Sequence, residues 1–510
     1  MESRTDNSIR NIQYAVVFQL LFFALSFVTR RVFVLTLSGQ YLGVNATLSG
    51  LLSTMSIAEL GIGSAITFSM YKPIAGNDRA KITALFRLYR KVYHAVGTVI
   101  AGAGLCLMPF LPGFFPEVAG IPHWRAVFLL FLADSVLPYY IGYKQILIIA
   151  HQKQYIATCI RFGILLASSA AQILCLLRAG SYIGYLLIKL SATLAISLVL
   201  ANRADRMYPF VRAFRRAELD RETGHEILKN IRAMIGHRLG GTVVFGTDNL
   251  LIAWFCGVTQ VGIYSNYLMV INGLKSLFDP VFLNLSSSIG NLGATGDKQA
   301  LRTVFERLNF AGSWLYYFSA ICLYVLLPPF ISLWVGEEYL FPGGIAALIV
   351  INFYVTGMRN ASNAFREALG LFWYDRHKPF WESGVNLVAS LILGRLWGIS
   401  GVFLGTLLST VCVCLPVEPH VVYRYGLDAP VKSYYRGYAL NALLTVFGGW
   451  AAGFVSGRIP LEGIPGFAAD ILVCLILPNA LFLLAHWKNP ALRYYFSMAA
   501  QRLGRRRRNV

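Results

Sequence analysis

The chain has 510 residues, of which 56% are hydrophobic and only 14% charged. A soluble domain carries about a quarter charged residues, so a water-soluble globular protein is excluded. The formal net charge of +21 does not mark a nucleic-acid binder either, because the cations sit in alternate gaps between apolar runs, where a membrane protein sets its orientation.

The apolar runs begin near Ile12 and continue to about Trp487. Each holds roughly 20 residues, the length a helix rising about 1.5 Å per residue needs to cross a hydrocarbon core of ~30 Å. They are continuous and do not alternate with period two, which excludes a barrel. Fourteen spans are predicted, at roughly 12–36, 44–71, 92–113, 125–149, 155–177, 180–202, 229–256, 260–281, 308–334, 343–367, 379–397, 399–423, 436–456 and 464–486. The first run is too long for a cleavable signal peptide and no small-residue cleavage site follows it.

Alternate gaps differ sharply in charge. One set holds Arg4 and Arg10, then six cations between Lys72 and Lys91, Lys144 and Lys153, six arginines between Arg203 and Arg221, and Arg505 to Arg508 in the tail. The other set offers only Arg125, Arg178, Arg395 and Arg458. This asymmetry predicts both termini in the cytoplasm and an even number of spans. The external gaps are short, so they host no catalytic domain. The eight cysteines all fall in predicted spans. Cys412 and Cys414, two apart, point to different helix faces, so neither a metal site nor a cofactor is expected.

The second half repeats the first. Arg10-Asn11-Ile12 opens the first span as Lys229-Asn230-Ile231 opens the seventh, and Gly76-Asn77-Asp78-Arg79-Ala80-Lys81 is answered by Gly296-Asp297-Lys298-Gln299-Ala300. Repeats of equal topology are related by an axis along the membrane normal and commonly flank a central site of alternating access. The expected architecture is all-α: a six-helix lobe at 1–206, a cytoplasmic linker at 207–227, a second lobe at 228–424, and two further helices with a basic tail at 425–510.

Several stretches carry a family resemblance: Ser8-Ile9-Arg10-Asn11-Ile12, Arg30-Arg31, Gln40-Tyr41-Leu42-Gly43, Ser56 to Ala65, and Tyr71-Lys72-Pro73-Ile74-Ala75. Over about the first hundred residues the chain resembles the bacterial polysaccharide-biosynthesis flippases of Wzx type, in the multidrug/oligosaccharidyl-lipid/polysaccharide exporter superfamily. The resemblance implies a carrier that moves an undecaprenyl-pyrophosphate-linked oligosaccharide to the outer leaflet of the bacterial cytoplasmic membrane. It also implies polysaccharide polymerase and other assembly proteins as partners.

Charges inside the bilayer are the candidate site. An ionised side chain at mid-bilayer costs about 2.5–3.5 kcal/mol on insertion scales, so it faces a cavity or a partner. Arg30 and Arg31 lie toward the outer end of the first span, Arg238 and Lys189 near the midplane, and Lys275 and Arg359 in the inner half. Glu59, Asp134 and Asp248 stand against them, leaving an excess of about three positive charges by this depth count. An arginine fork matches phosphate oxygens, so Arg30, Arg31, Arg238, Lys275 and Arg359 are expected to bind pyrophosphate. Lys189 is set aside because Asp134 at similar depth neutralises it, and Asp279 is placed to pair with Lys275 four residues away. Glu59, Asp134 and Asp248 are assigned to gating or coupling, with Asp248 placed to meet Arg30 across the cavity.

Two cytoplasmic stretches read as interfacial and suited to anionic lipids: Ile82 to Val92, and the tail joining Tyr494, Tyr495 and Phe496 to Arg505–Arg508. A multidrug exporter of organic cations is the alternative function; it calls for an acidic cavity and usually has twelve spans. A membrane polymerase or glycosyltransferase needs acidic catalytic residues on a sizeable external loop, which this sequence does not offer, so no enzyme activity is expected.

Overall fold

The computed structural model describes residues 21–56, 62–213, 246–283, 285–294 and 296–508. Every regular element among them is helical. Seven helices among the described residues have the length and hydropathy to cross a membrane. An eighth arises if Trp124–Tyr140 and Gly142–Ala150, bent by 41° at a short break, form one span. The protein is therefore a multi-pass membrane protein. One expected span is interrupted: 343–367 breaks at Met358 and Arg359 into Gly343–Gly357 and Asn360–Ala368, while part of the expected span 44–71 lies outside the described residues.

The chain divides into two compact units, residues 1–265 and 266–510. In the first, Tyr182–Met207 packs on Gln154–Ala179 and Trp124–Tyr140, and Arg79–Leu107 packs on Trp124–Tyr140. Small residues bring these helices together: a Cβ at Gly104 would meet Leu132, and one at Gly97 would meet Tyr139 and Tyr140. Leu166, Leu177, Leu187 and Leu198 stay exposed, which suits helices whose outer faces meet hydrocarbon.

The second unit is organised around the 38-residue helix Lys298–Val335, about 57 Å long by its rise. Against it lie Gly343–Gly357, Lys432–Ser456 and Gly463–His486, with Tyr317, Ile321, Ala452 and Phe482 at the shared core. Lys378–Trp397 and Ile399–Ser409 form a tight hairpin through Gly398, whose φ is 58°. Glycine again sets the approach, since a Cβ at Gly401 would strike the Leu393 carbonyl and one at Gly405 would strike Ser390.

The two matching sequence turns are built alike. Asn77 (φ 53°) and Gly296 (φ 77°) both take the left-handed conformation. Next come Asp78 and Asp297, whose side chains accept from the backbone N–H of Lys81 and Ala300, each at 2.9 Å. Each turn caps a long helix with the same chemistry.

The stretch Ile82 to Val92 departs from expectation. Ile82, Leu85, Phe86 and Tyr89 are buried, and the rings of Phe86 and Tyr89 pack on Tyr143 and Tyr93. Its apolar stripe faces protein, not a lipid surface, because neighbouring helices reach this level; Arg90 and Lys91 alone of its cations are fully exposed. In the tail, Ala491 and Leu492 join the core, Arg307 lies 3.6 Å over the Tyr494 ring, and Phe496 is exposed.

Candidate functional site

In the first unit, helix 21–36 holds Arg30 half-buried. One guanidinium nitrogen donates to Ser265 Oγ at 3.1 Å, and that hydroxyl donates to the Gly262 carbonyl at 2.7 Å. Tyr185 lies within electrostatic reach and hydrogen-bonds Asn45. Phe33 packs on Tyr185 at 5.1 Å, and Tyr41 on Tyr182 at 4.9 Å, so the guanidinium stands beside an aromatic wall. Among the described residues no carboxylate pairs with Arg30. A guanidinium has five donors, so one hydroxyl leaves most of its capacity for a ligand. Arg31, one residue on, is exposed on another helix face.

The acids of this unit are placed differently. Asp134 pairs with Lys189 at 3.0 Å and accepts from Thr193 Oγ1 at 2.6 Å, while Lys189 also lies 4.8 Å over the Phe131 ring. That pair is self-contained. Asp248 is buried with Tyr264 as an electrostatic neighbour, and Arg30 bonds Ser265 in place of it. Glu59 and Arg238 lie outside the described residues.

A carboxylate the sequence reading passed over does more here. Glu117 Oε2 accepts from both the N–H and the Oγ1 of Thr259, each at 3.0 Å, at the first turn of helix Val258–Leu283. Gln40 donates to the Glu117 carbonyl at 2.9 Å. A negative group at a helix N-terminus satisfies orphan N–H groups and opposes the helix dipole favourably. Gly257, at φ 92°, has no room for a Cβ beside the Glu117 carboxylate. Nearby, a Cβ on Gly43 would strike the Val258 carbonyl, and one on Gly262 would lie 2.7 Å from the Gly43 nitrogen. The start of this helix is therefore pressed backbone to backbone against Gly39–Met55.

In the second unit, Arg359 is buried and fully engaged. Its Nε and one terminal nitrogen donate to Glu418 at 2.8 and 2.7 Å, and the other terminal nitrogen donates to Glu382 at 3.3 Å. Lys378 Nζ donates to Glu418 and lies 3.4 Å from Glu382, while Arg366 pairs with Asp375 at 2.6 Å. Three cations and three carboxylates thus form one neutral, buried cluster that ties Asn360–Ala368, Lys378–Trp397 and Leu415–Val421 together. All three guanidinium nitrogens of Arg359 are engaged by carboxylates in a buried setting, so Arg359 is not carried into the site proposed below. The expected charge excess falls accordingly. Glu382 and Glu418 lie inside the predicted spans 379–397 and 399–423, so the signal was present as acids within apolar runs.

Lys275 interacts electrostatically with Asp279, one turn on. Asp279 Oδ1 lies 3.5 Å from Asn360 Nδ2, which donates to the Tyr316 hydroxyl at 2.6 Å.

These observations define a polytopic helical membrane protein with deep charges, most of them paired. No protein family and no curated protein matches the sequence. Among solved structures, the lipid II flippase MurJ in an inward closed conformation matches with TM-score 0.62 and 12% identity, over 92% of this chain and 99% of that one. An inward-facing multidrug resistance MATE family transporter of the MOP superfamily matches with TM-score 0.57 and 11% identity, over 79% and 94%. A MATE protein in the bent conformation matches with TM-score 0.52 and 11% identity, over 86% and 98%. The chain therefore shares the fold of these flippases and multidrug transporters.

Proposed function

We propose that the protein is a flippase for a lipid-linked oligosaccharide carrying a pyrophosphate. It would work by alternating access between lobes 1–206 and 228–424, in a bacterial cytoplasmic membrane with both termini inside. The observation that carries this reading is Arg30: a half-buried guanidinium within a span, beside an aromatic wall, with no carboxylate partner among the described residues. Such a group favours an anion, and a pyrophosphate diester brings about two negative charges. Arg31, on the adjoining face of the same helix, and Arg238 are proposed to complete the anion site, and the basic tail with its exposed Phe496 is proposed to anchor the chain to anionic lipids. Polysaccharide polymerase is proposed as a partner.

An organic-cation exporter is the reading favoured by the likeness to MATE transporters. It calls for an acid in the cavity; Asp134, Glu382 and Glu418 are each held by cations, and the exposed Asp279 has Lys275 one turn away. The test is transfer in proteoliposomes, following a polyprenyl-pyrophosphate oligosaccharide with a membrane-impermeant reagent. Wild type should expose the carrier, and Arg30→Ala should slow it about tenfold or more, the worth of one charge-assisted contact. Wild type that leaves the carrier untouched but accumulates an organic cation would overturn the proposal.

A further inference from the structure

In the second unit a helix carrying a proline meets a span that is interrupted. Helix Val258–Leu283 carries Pro280 immediately after Asp279. Proline has no N–H and crowds the carbonyl four residues back, so the Ser276 carbonyl loses its helical donor. The tenth span stops at Gly357, turns through Met358 and Arg359, and restarts at Asn360. Gly357 is where the Tyr316 ring fits: a Cβ there would collide with it. The Tyr316 hydroxyl then reaches across the break to Asn360, and Asn360 reaches Asp279. Irregular backbone at membrane depth persists only where protein or a water-filled cavity surrounds it, and broken helices contribute to binding sites in carriers. Asp279 is exposed, and an exposed carboxylate in a span requires water on that side.

We infer that Lys275, Asp279 and Asn360, with Asn360 positioned by the buried Tyr316 hydroxyl, form a subsite for the neutral, hydroxyl-rich part of the ligand, the glycan. This rests on the flippase reading above and adds which residues meet the sugar. The chemistry selects the ligand class. Lys275 and Asp279 sum to no net charge, so a phosphate is opposed by the acid and an organic cation by the lysine. The group offers the Lys275 ammonium as donor and Asp279, the Asn360 side-chain oxygen and the Ser276 carbonyl as acceptors, the Asn360 amide nitrogen being directed at Asp279 and Tyr316. A sugar hydroxyl both gives and accepts, and only such a ligand uses the whole set at once. A site that hydrogen-bonds a hydroxyl also discriminates strongly against a ligand lacking it, because its own polar groups are left unpaired. The glycan is thereby read separately from the pyrophosphate.

The test compares two carriers in proteoliposomes of the full chain: a polyprenyl pyrophosphate bearing a tetrasaccharide, and the same lipid without sugar. Asn360→Ala and Asp279→Asn should each slow the glycosylated carrier about tenfold and the bare carrier less than twofold. Asn479→Ala, which removes an acceptor for the Trp314 indole elsewhere in this unit, should leave both carriers unchanged. Equal slowing of both carriers by variants that melt like wild type would overturn the subsite while leaving the flippase reading intact. No slowing of either carrier would do the same. Wild type that moves neither carrier, with Asp279-dependent binding of tetraphenylphosphonium, would overturn both.

Discussion

Glu418→Gln tests the buried cluster of the second unit. The Glu418 side chain is wholly buried, and Arg359, which forks onto it, is 9% exposed. Solvent screening therefore offers little relief when the charge is removed. Arg359 loses the charge behind two short bonds at 2.8 and 2.7 Å, Lys378 loses its nearest carboxylate, and Arg366 loses one 3.8 Å away. Breaking one partner of a buried ion pair costs about 3–5 kcal/mol. Glutamine keeps one acceptor oxygen, which places the loss near ~3 kcal/mol, about a hundredfold in the folded-to-unfolded ratio. Arg359→Leu combined with Glu418→Leu leaves Arg366 and Lys378 facing Asp375 and Glu382, again neutral. That double variant should fall short of the summed single losses by about 2 kcal/mol. The assay is equilibrium unfolding of the detergent-solubilised chain, with ligand affinity measured on folded material. Unchanged stability in Glu418→Gln would refute the electrostatic argument. Normal stability with weakened ligand binding would return Arg359 to the binding site.

Removing the carboxylate in Glu117→Ala uncaps helix Val258–Leu283, at a cost of about 1–2 kcal/mol, and amide exchange at Thr259 should quicken; unchanged exchange would show the cap to be idle. Gly43→Ala drives a methyl into the Val258 carbonyl, where backbone cannot yield, so a loss of about 1–3 kcal/mol is expected, and wild-type melting would contradict the close approach. His151 stacks on Tyr208 at 4.2 Å with Nδ1 2.7 Å from the Leu147 carbonyl, and burial, aided by Lys153, holds its pKa below the ordinary 6.5. The unfolded chain then takes up the proton first, so stability is full above pH 6.5 and declines as pH falls through 6.5 toward the folded value; His151→Gln should flatten that slope in pH-dependent melting.

Hydropathy alone made the helical membrane class legible, since any sequence that satisfies hydrocarbon on its outer faces must be continuously apolar. The position of the breaks was not legible. Met358 and Arg359 interrupt an apolar run with no proline to announce it, because the break is set by the Tyr316 ring lodging against Gly357. Depth along a helix anticipated the Asp134–Lys189 pair, because rise per residue is constant. It could not give direction around the axis, and so missed that Arg359 turns inward to Glu418 and Glu382. Glu117 was hidden for another reason. It sits in the short helix Pro116–Ala119 between spans, and only the fold brings it to the start of a helix more than a hundred residues later.

The matching turns at Asn77-Asp78 and Gly296-Asp297 bear on where likeness between two stretches of such a chain can persist. In the spans nearly any apolar residue serves the lipid equally, so substitutions accumulate there without penalty and erase ancestry. A left-handed residue followed by a capping aspartate admits very few substitutes, so drift is slow at those two positions. The likeness of the two stretches is then carried by their turns and not by their helices. Exchanging Asn77 for Gly, or Gly296 for Asn, should be nearly silent in melting, which would show the two turns to be interchangeable parts.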